Sequence, residues 1–320
     1  MTVIFHKLAV LAAVLTILAS CSLGGEMQTT ELGSAERRDE QIGVMPASLQ
    51  SCSPDAGSPF HFRKSILVAG TIGLPVLARD LPGLSTVTSM RLQAHLEALD
   101  HFNVAAMHHS SFKSSSPGAA ARIRELGRDY ESQFVVKIDI EDFAITSTGG
   151  FLSKLLGDNN ERNIVLRLYI FDTEHGVPFY TQQYQKTVTG DVVGFRGNGN
   201  SVTTSWFETN LGKQVDEMLE MMSMEVDENL ACVPFSTQVT SVREDELKIA
   251  AGYRHGIRPG ETLRVYPNDN MSKADGSPSF ENNKIWIKVN SVYPNHSLAS
   301  VSEGMEDSEG LSTGDIVRAW

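Results

Sequence analysis

The sequence predicts an α/β (α+β) domain with a mixed sheet and packed helices, followed by a small all-β barrel or sandwich domain. In the first part of the chain, apolar runs typical of strands alternate with apolar stripes at helical spacing. Beyond about residue 235 the helical stripes stop, and turn residues separate short strand-like runs. The 320 residues, 41% hydrophobic and 21% charged, are long enough for two globular domains.

The first elements of the α/β domain follow from the spacing of apolar residues. Residues 65–70 are an apolar run closed by glycine, which predicts a buried strand. Residues 84–100 carry leucines along one face at helical spacing, which predicts a helix. A second short strand is predicted at residues 103–107.

A second helix and a long strand come next. The helix is predicted to begin after Pro117 and Gly118 and to stop at Gly127. Residues 134–145 then alternate between apolar and charged side chains, which predicts a strand buried on one side only. Its solvated face is expected to carry Lys137, Asp139 and Glu141.

A hairpin and a long helix complete this domain. Strands are predicted at residues 163–171 and near 179–188, joined by a turn at 172–176. The glycine- and asparagine-rich residues 190–204 are expected to form a mobile loop. Trp206 is predicted to open the helix, whose apolar stripe is Val215, Leu219, Met222, Val226 and Leu230.

The second domain is predicted to contain short strands only. Their turns carry Arg-Pro-Gly, Asn-Asp-Asn, Tyr-Pro-Asn and Ser-Thr-Gly-Asp sequences, which are typical of tight connections. The predicted strands are residues 238–242, 247–250, 262–266, 284–292, 297–301 and 315–319.

The N-terminus predicts export and lipidation. Lys7 is followed by an apolar run at residues 8–18, which is too short to span a bilayer. Residues 18–21, Leu-Ala-Ser-Cys, resemble the cleavage box of bacterial prolipoproteins, so Cys21 is the predicted lipidation site. The alternative is an ordinary secretory signal that happens to contain a cysteine. Ser22 instead of aspartate favours the outer membrane, by resemblance to the lipoprotein sorting rule.

The cysteine count favours a disulfide. Lipidation uses Cys21 and leaves Cys52 and Cys232, an even pair in an oxidising compartment. Two cysteines without histidines at ligand spacing are too few for a metal site. The alternative is two unpaired thiols, one of them buried. The resulting organisation is a signal peptide (1–20), a flexible tether (21–51), the α/β domain (52–233) and the β domain (234–320).

No residue pattern in the sequence indicates catalysis, a cofactor or a metal. The adjacent His108 and His109 would point to opposite faces of an extended segment, so they are poorly placed to share an ion. The glycine-rich residues 194–199 do not connect a strand to a helix as a phosphate loop does. The net charge of −12 disfavours nucleic acid. The methionines Met218, Met221, Met222 and Met224 of the long helix are expected to fill the core. The alternative, for Met221 and Met224, which fall off the apolar stripe, is a second, partner-facing contact.

Several stretches taken together resemble the flagellar assembly protein T (FlgT) family. They cover roughly residues 60–320 and correspond to the middle and C-terminal domains of that family. The middle domain of the family is similar to the N-terminal domain of the translocation protein TolB. The stretches that carry the resemblance are residues 63–69, 99–102, 134–138, 166–172, 206–212, 229–235, 251–261 and 313–317.

The resemblance implies a non-enzymatic periplasmic protein that helps to assemble or stabilise the outer ring of the flagellar basal body. Its expected partners are basal-body ring proteins, neighbouring envelope proteins and the outer membrane, whose inner leaflet would hold the lipid. A homo-oligomeric ring is a further expectation. The chain departs from the family in its lipid anchor and in the polar residues 22–50, which replace the family's N-terminal domain. The alternatives are a component of an envelope secretion or translocation machine, TolB-like or curli-export-like, and an envelope hydrolase.

Overall fold

The structure is a computed structural model. All residues that it describes belong to one compact unit, Gly43–Trp320. Cys21, Cys52, His109 and the predicted tether lie outside the described residues, as does most of the predicted loop at 190–204. The described residues are 61–71, 80–108, 112–147, 160–189, 202–243, 246–266, 285–302 and 311–319.

The first part of this unit is a mixed six-stranded sheet with helices on both faces. The order of the strands is β2-β1-β3-β5-β4, with β6 also paired to β5. The strands are β1 (Lys64–Ala69), β2 (Phe102–Met107), β3 (Phe134–Asp142), β4 (Ile145–Ser147), β5 (Asn160–Asp172) and β6 (Val177–Thr189). The helices are α1 (Leu84–Ala98), α2 (Ala119–Asp129) and α3 (Asn210–Ala231), with a short 3₁₀ turn (Thr204–Glu208) before α3.

The register of the sheet explains how the two kinds of pairing coexist. Strand β1 runs parallel to both β2 and β3, as strands connected by helices do. Strand β5 is antiparallel to β3, β4 and β6. The turn from β5 to β6 needs a glycine at position 176, where φ is 71°. A Cβ at this position would lie only 2.4 Å from the Ala120 carbonyl oxygen. The predicted hairpin is therefore confirmed.

Two apolar clusters hold the sheet between its helices. Helices α1 and α3 bury their stripes on one face, against the inward side chains of β1, β3 and β5. The five predicted stripe residues of α3 are all buried. Helix α2 covers the opposite face with Ile123 and Leu126, which pack with Phe112, Val135 and Phe171. The sheet is consequently the middle layer of three.

Four local expectations were wrong, each for a physical reason. Gly127 does not stop α2, which continues to Asp129, because this glycine is a point of close packing rather than a cap. Trp206 lies in the 3₁₀ turn, and α3 begins only at Asn210, where the Thr209 side chain caps it by accepting the Gly212 N–H at 3.0 Å. Strand β3 ends at Asp142, whose carboxylate accepts the Ala144 N–H. The fourth expectation concerned the exposed face of β3.

Strand β3 is not solvated along one whole face. Lys137 is completely buried, because α2 and Phe112 cover this end of the sheet. Its ammonium group lies 2.6 Å from the Asp139 carboxylate and over the rings of Phe112 and Tyr169. Glu141, at the other end of the strand, is exposed as expected.

The second part of the unit is a closed barrel, which decides between the two predicted β architectures. Its strands follow the order β10-β11-β8-β7-β12-β9 around the barrel. Closure leaves no unpaired strand edge, and the alternate side chains fill the interior. The strands are β7 (Phe235–Arg243), β8 (Glu246–Ile249), β9 (Thr262–Tyr266), β10 (Ile285–Val292), β11 (Ser297–Val301) and β12 (Ile316–Ala319).

Direct hydrogen bonds join the barrel to the sheet domain. The Gln133 side chain donates to the Pro234 carbonyl oxygen at 2.7 Å and accepts the Ser236 N–H at 3.1 Å. On the other side, the Arg63 N–H donates to the His255 carbonyl oxygen at 2.9 Å. Within the described ranges, none of the helices has the length and apolarity needed to cross a membrane.

Candidate functional site

Helix α3 is the element with the most distinct solvent-facing surface. Its buried stripe packs on the sheet, and both of its flanks contact neighbouring elements. The remaining side is exposed along the whole length of the helix. We call it the outer stripe, and it consists of Lys213, Glu220, Met221, Met224 and Glu228.

One flank of α3 is fixed to α1 by charged hydrogen bonds. The Arg91 guanidinium contacts both oxygens of the Asp216 carboxylate at 2.6 Å, and His95 Nε2 lies 2.7 Å from one of them. The Arg91 hydrogen bonds, and secondarily that from His95, lower the pKa of Asp216. About three turns further along α3, Asp227 lies 2.8 Å from Nδ1 of His101, which belongs to the connection between α1 and β2. Asp216 therefore holds α3 to α1, and Asp227 holds α3 to the connection that follows α1.

The other flank of α3 contacts strand β6. The Tyr180 hydroxyl donates to the Glu225 carboxylate, and the Lys186 ammonium lies 2.8 Å from Glu217. Burial, and then the negative charge of Glu225, raises the pKa of both Tyr180 and Tyr184 above the ordinary value. Both tyrosines are thus neutral, and they serve as packing groups rather than as bases.

A cleft of about 290 Å³ lies between the sheet domain and the barrel. A pair between Arg318 of β12 and Glu174 of the β5–β6 turn, at 3.0 Å, closes one side. Gln133 lies along another side and bonds to the backbone of both parts, as described above. Because its polar groups bond to one another across the gap, the cleft works as a joint between the two parts.

A cluster of possible metal ligands lies at the edge of this cleft. Donor atoms of Asp172, Glu174 and His175 lie within 4.8 Å of one another. Each is already engaged: the Asp172 carboxylate accepts the Glu174 N–H at 2.8 Å and contacts His175 Nδ1 at 2.5 Å, and Glu174 pairs with Arg318. The hydrogen bond to Asp172 raises the pKa of His175. These contacts fix the turn, and the cluster gives no ground for a metal site.

The predicted site residues are dispersed in the structure. His108 lies beside α1, where its ring nitrogens are 3.0 Å from Ser89 Oγ and 2.9 Å from Gln93 Oε1. Asp139 pairs with Lys137, and Glu141 pairs with Arg167 across the sheet at 2.7 Å. The structure therefore does not bring the acids of β3 together in a pocket.

Cys232 forms the C-cap of α3 and is partly buried. It precedes the connection to β7, next to the backbone that Gln133 holds. Cys52 lies outside the described residues, so the predicted disulfide remains a prediction.

The fold class is thus a mixed α/β sheet part with packed helices followed by a closed all-β barrel. Two family descriptions match the chain. They are "Flagellar assembly protein T, middle domain", over residues 77–195, and "Flagellar assembly protein T, C-terminal domain", over residues 244–318. Together they cover more than half of the sequence, so the chain belongs to the flagellar assembly protein T family. The resemblance inferred from the sequence is confirmed, and the family gives the chain a structural role in flagellar assembly.

Solved structures with a similar arrangement have low sequence identity. The hypothetical protein CT253 from Chlamydia trachomatis is 16% identical, with a TM-score of 0.36, 53% of this chain covered and 98% of that chain. The PelC dodecamer from Paraburkholderia phytofirmans is 11% identical, with a TM-score of 0.29 and coverages of 53% and 88%. Lipoprotein GNA1162 from Neisseria meningitidis is 12% identical, with a TM-score of 0.28 and coverages of 52% and 98%. A search among curated proteins gave no significant match.

Proposed function

We propose that this chain is a non-enzymatic periplasmic lipoprotein that helps to assemble or stabilise the outer ring of the flagellar basal body. The observation that carries the proposal is the pair of family matches, which covers both parts of the described fold. The envelope location rests on the N-terminal sequence, in which a short apolar run ends at a lipoprotein-type cleavage box.

In this proposal, acyl chains on Cys21 hold the protein at the inner leaflet of the outer membrane. More than one acyl chain is needed, because a single chain binds a membrane only marginally. Residues 21–51 then serve as a tether between the lipid and the folded unit. The hydrogen bonds between the sheet domain and the barrel favour one well-defined arrangement, as a ring component requires.

The test compares wild type with Cys21→Ser in cells from which the native gene has been removed. We expect a fatty-acid probe to label the wild type only, and the wild type to fractionate with outer membranes and co-purify with intact basal bodies. Cys21→Ser should retain its fold by circular dichroism but lose labelling and most of its recovery with the rings.

Two results would count against the proposal. Equal labelling of both proteins would exclude lipidation at Cys21. Normal rings and motility without the gene, together with recovery of the protein in a secretion complex, would instead favour the translocation role. If the protein shows no enzymatic activity and is found at the outer membrane with the basal bodies, the result supports the assembly role.

A further inference from the structure

The outer stripe of α3 is the side of this helix that packing among the described residues leaves exposed. Met221 and Met224 are one turn apart and are 49% and 55% exposed. Their neighbours on the helix, Met218 and Met222, are buried in the core with 1% and 0% exposure. The helix therefore presents two flexible, polarizable apolar side chains to solvent, beyond those that its own core uses.

The acids of α3 fall into two groups. Four of them bond to neighbouring groups: Asp216 to α1, Asp227 to His101 in the connection after α1, and Glu217 and Glu225 to β6. The other two, Glu220 and Glu228, are exposed beside the methionines, and the described residues supply no ion pair to either side chain. The apolar pair is thus bordered by two carboxylates that are available to a partner.

This arrangement selects the chemistry of the occupant. Like charges facing one another oppose association, so a second copy presenting the same stripe is disfavoured, as are an anionic lipid surface and nucleic acid. A partner that complements the stripe has apolar side chains for the methionines and cations for Glu220 and Glu228. An amphipathic helix with basic residues beside its apolar face provides both.

We infer that the outer stripe of α3 is a docking surface for a basic amphipathic segment of a partner protein. The inference deepens the proposed assembly role and rests on it for its biological setting. The methionines supply adaptable apolar contact, and the flanking carboxylates fix the orientation and accelerate encounter.

The test uses the full-length chain purified in detergent and two synthetic helical peptides. One peptide contains leucine and lysine at amphipathic spacing, and the other has glutamate at each lysine position. Titration calorimetry should detect binding of the leucine–lysine peptide at low salt, with weaker binding at high salt because exposed charges are screened. The leucine–glutamate peptide should not bind.

Variants separate the stripe from the overall acidity of the chain. Met221→Glu with Met224→Glu, and Glu220→Lys with Glu228→Lys, should each weaken binding about tenfold or more. Asp129→Lys with Glu246→Lys makes the same change in net charge at exposed positions outside α3, and should leave affinity nearly unchanged. Val177→Glu with Ile145→Glu, at sites that are 48% and 40% exposed, adds the same two charges outside α3 and is the matched control for the methionines. Unchanged melting temperatures will show that each variant is folded.

Three results would overturn the inference: no binding of the basic peptide, equal weakening by the control variants, or self-association of the wild type that the methionine variants abolish. These outcomes are independent of the cellular test, because the titration does not use basal bodies. Failure of the ring assay with intact peptide binding would remove the flagellar setting and leave the docking surface.

Discussion

Gly127 tests the packing of α2 against the turn after β5. A Cβ at this position would lie 2.3 Å from Thr173 Cβ, 2.7 Å from its Oγ1 and 3.0 Å from its Cγ2. Thr173 cannot easily move away, because its hydroxyl donates to the carbonyl oxygens of Ser132 and Gln133 at 2.7 and 2.9 Å. Gly127→Ala therefore forces the helix away from the turn.

Two opposing effects set the change in the free energy of unfolding that Gly127→Ala causes. In a helix interior, alanine is favoured over glycine by about 1 kcal/mol. Overpacking of a tight site costs roughly 1–3 kcal/mol, and the 2.3 Å approach to a branched carbon places this site toward the upper end. We expect Gly127→Ala to lower the free energy of unfolding by about 1–2 kcal/mol, which is roughly 2–8 °C in melting temperature for a protein of this size.

In a Thr173→Gly background, the effect of Gly127→Ala on stability should have the opposite sign. Thr173→Gly removes all three atoms that the new methyl group would meet, so that Gly127→Ala should then raise stability by up to about 1 kcal/mol. The assay is urea unfolding of the four proteins in a double-mutant cycle, with a coupling energy of about 2 kcal/mol expected. Stabilisation by Gly127→Ala in the wild type, or the same effect in both backgrounds, would refute this account of the helix.

Two further predictions concern Cys232 and His255. We expect Cys52 and Cys232 to form a disulfide that encloses a loop of 180 residues, worth on the order of 5 kcal/mol in the chain-entropy model. Thiol labelling of the denatured, unreduced Cys21→Ser protein should then find no free thiol, and Cys232→Ser should expose one; two free thiols in the first protein would contradict the bond. Burial, and secondarily the charge of Arg254, lowers the pKa of His255 to about 4, so the unfolded chain binds its proton first as the pH falls. The free energy of unfolding should therefore decline between pH about 6.5 and about 4, with about 3 kcal/mol of the decline due to His255. Urea unfolding of His255→Asn should show a shallower decline over this pH range. Equal declines in both proteins would exclude His255 as the cause.

The periodicity of apolar residues predicted the helices that pack on the sheet through a single face. The leucines of α1 and the stripe of α3 recur at helical spacing because each helix packs on one side of the sheet. The β5–β6 hairpin was predictable from its turn, where Gly176 supplies the positive φ. Gly127 was misread because a glycine at a cap and a glycine at a tight contact look the same in a single sequence. Thr209 is a typical N-cap residue and marks the start of α3, whereas the apolar Trp206 places the predicted start too early.

The buried charges could not have been predicted from alternation. Lys137 occupies a position that alternation assigns to solvent, but α2 and Phe112 come from elsewhere in the chain and cover it. Arg162 is similarly buried, paired with Asp80 and stacked on the Phe143 ring. In both cases the ion pair and the aromatic faces replace part of the lost hydration. Which charged residue of a strand is buried depends on contacts distant in sequence.

The same reasoning separates the charges of α3 by role. The sequence shows six acids along this helix and does not distinguish them. The fold assigns four to the flanks: α1 binds one, His101 after α1 binds one, and β6 binds two. These contacts determine which side of the helix remains open. Because a flank acid such as Asp216 is already paired, its replacement should act through stability, whereas replacement of Glu220 or Glu228 should act through binding. Among the described residues, no element covers the outer stripe, and no ion pair engages the two carboxylates beside its methionines. Binding a partner there would therefore not require α3 to give up contacts that stabilise the fold.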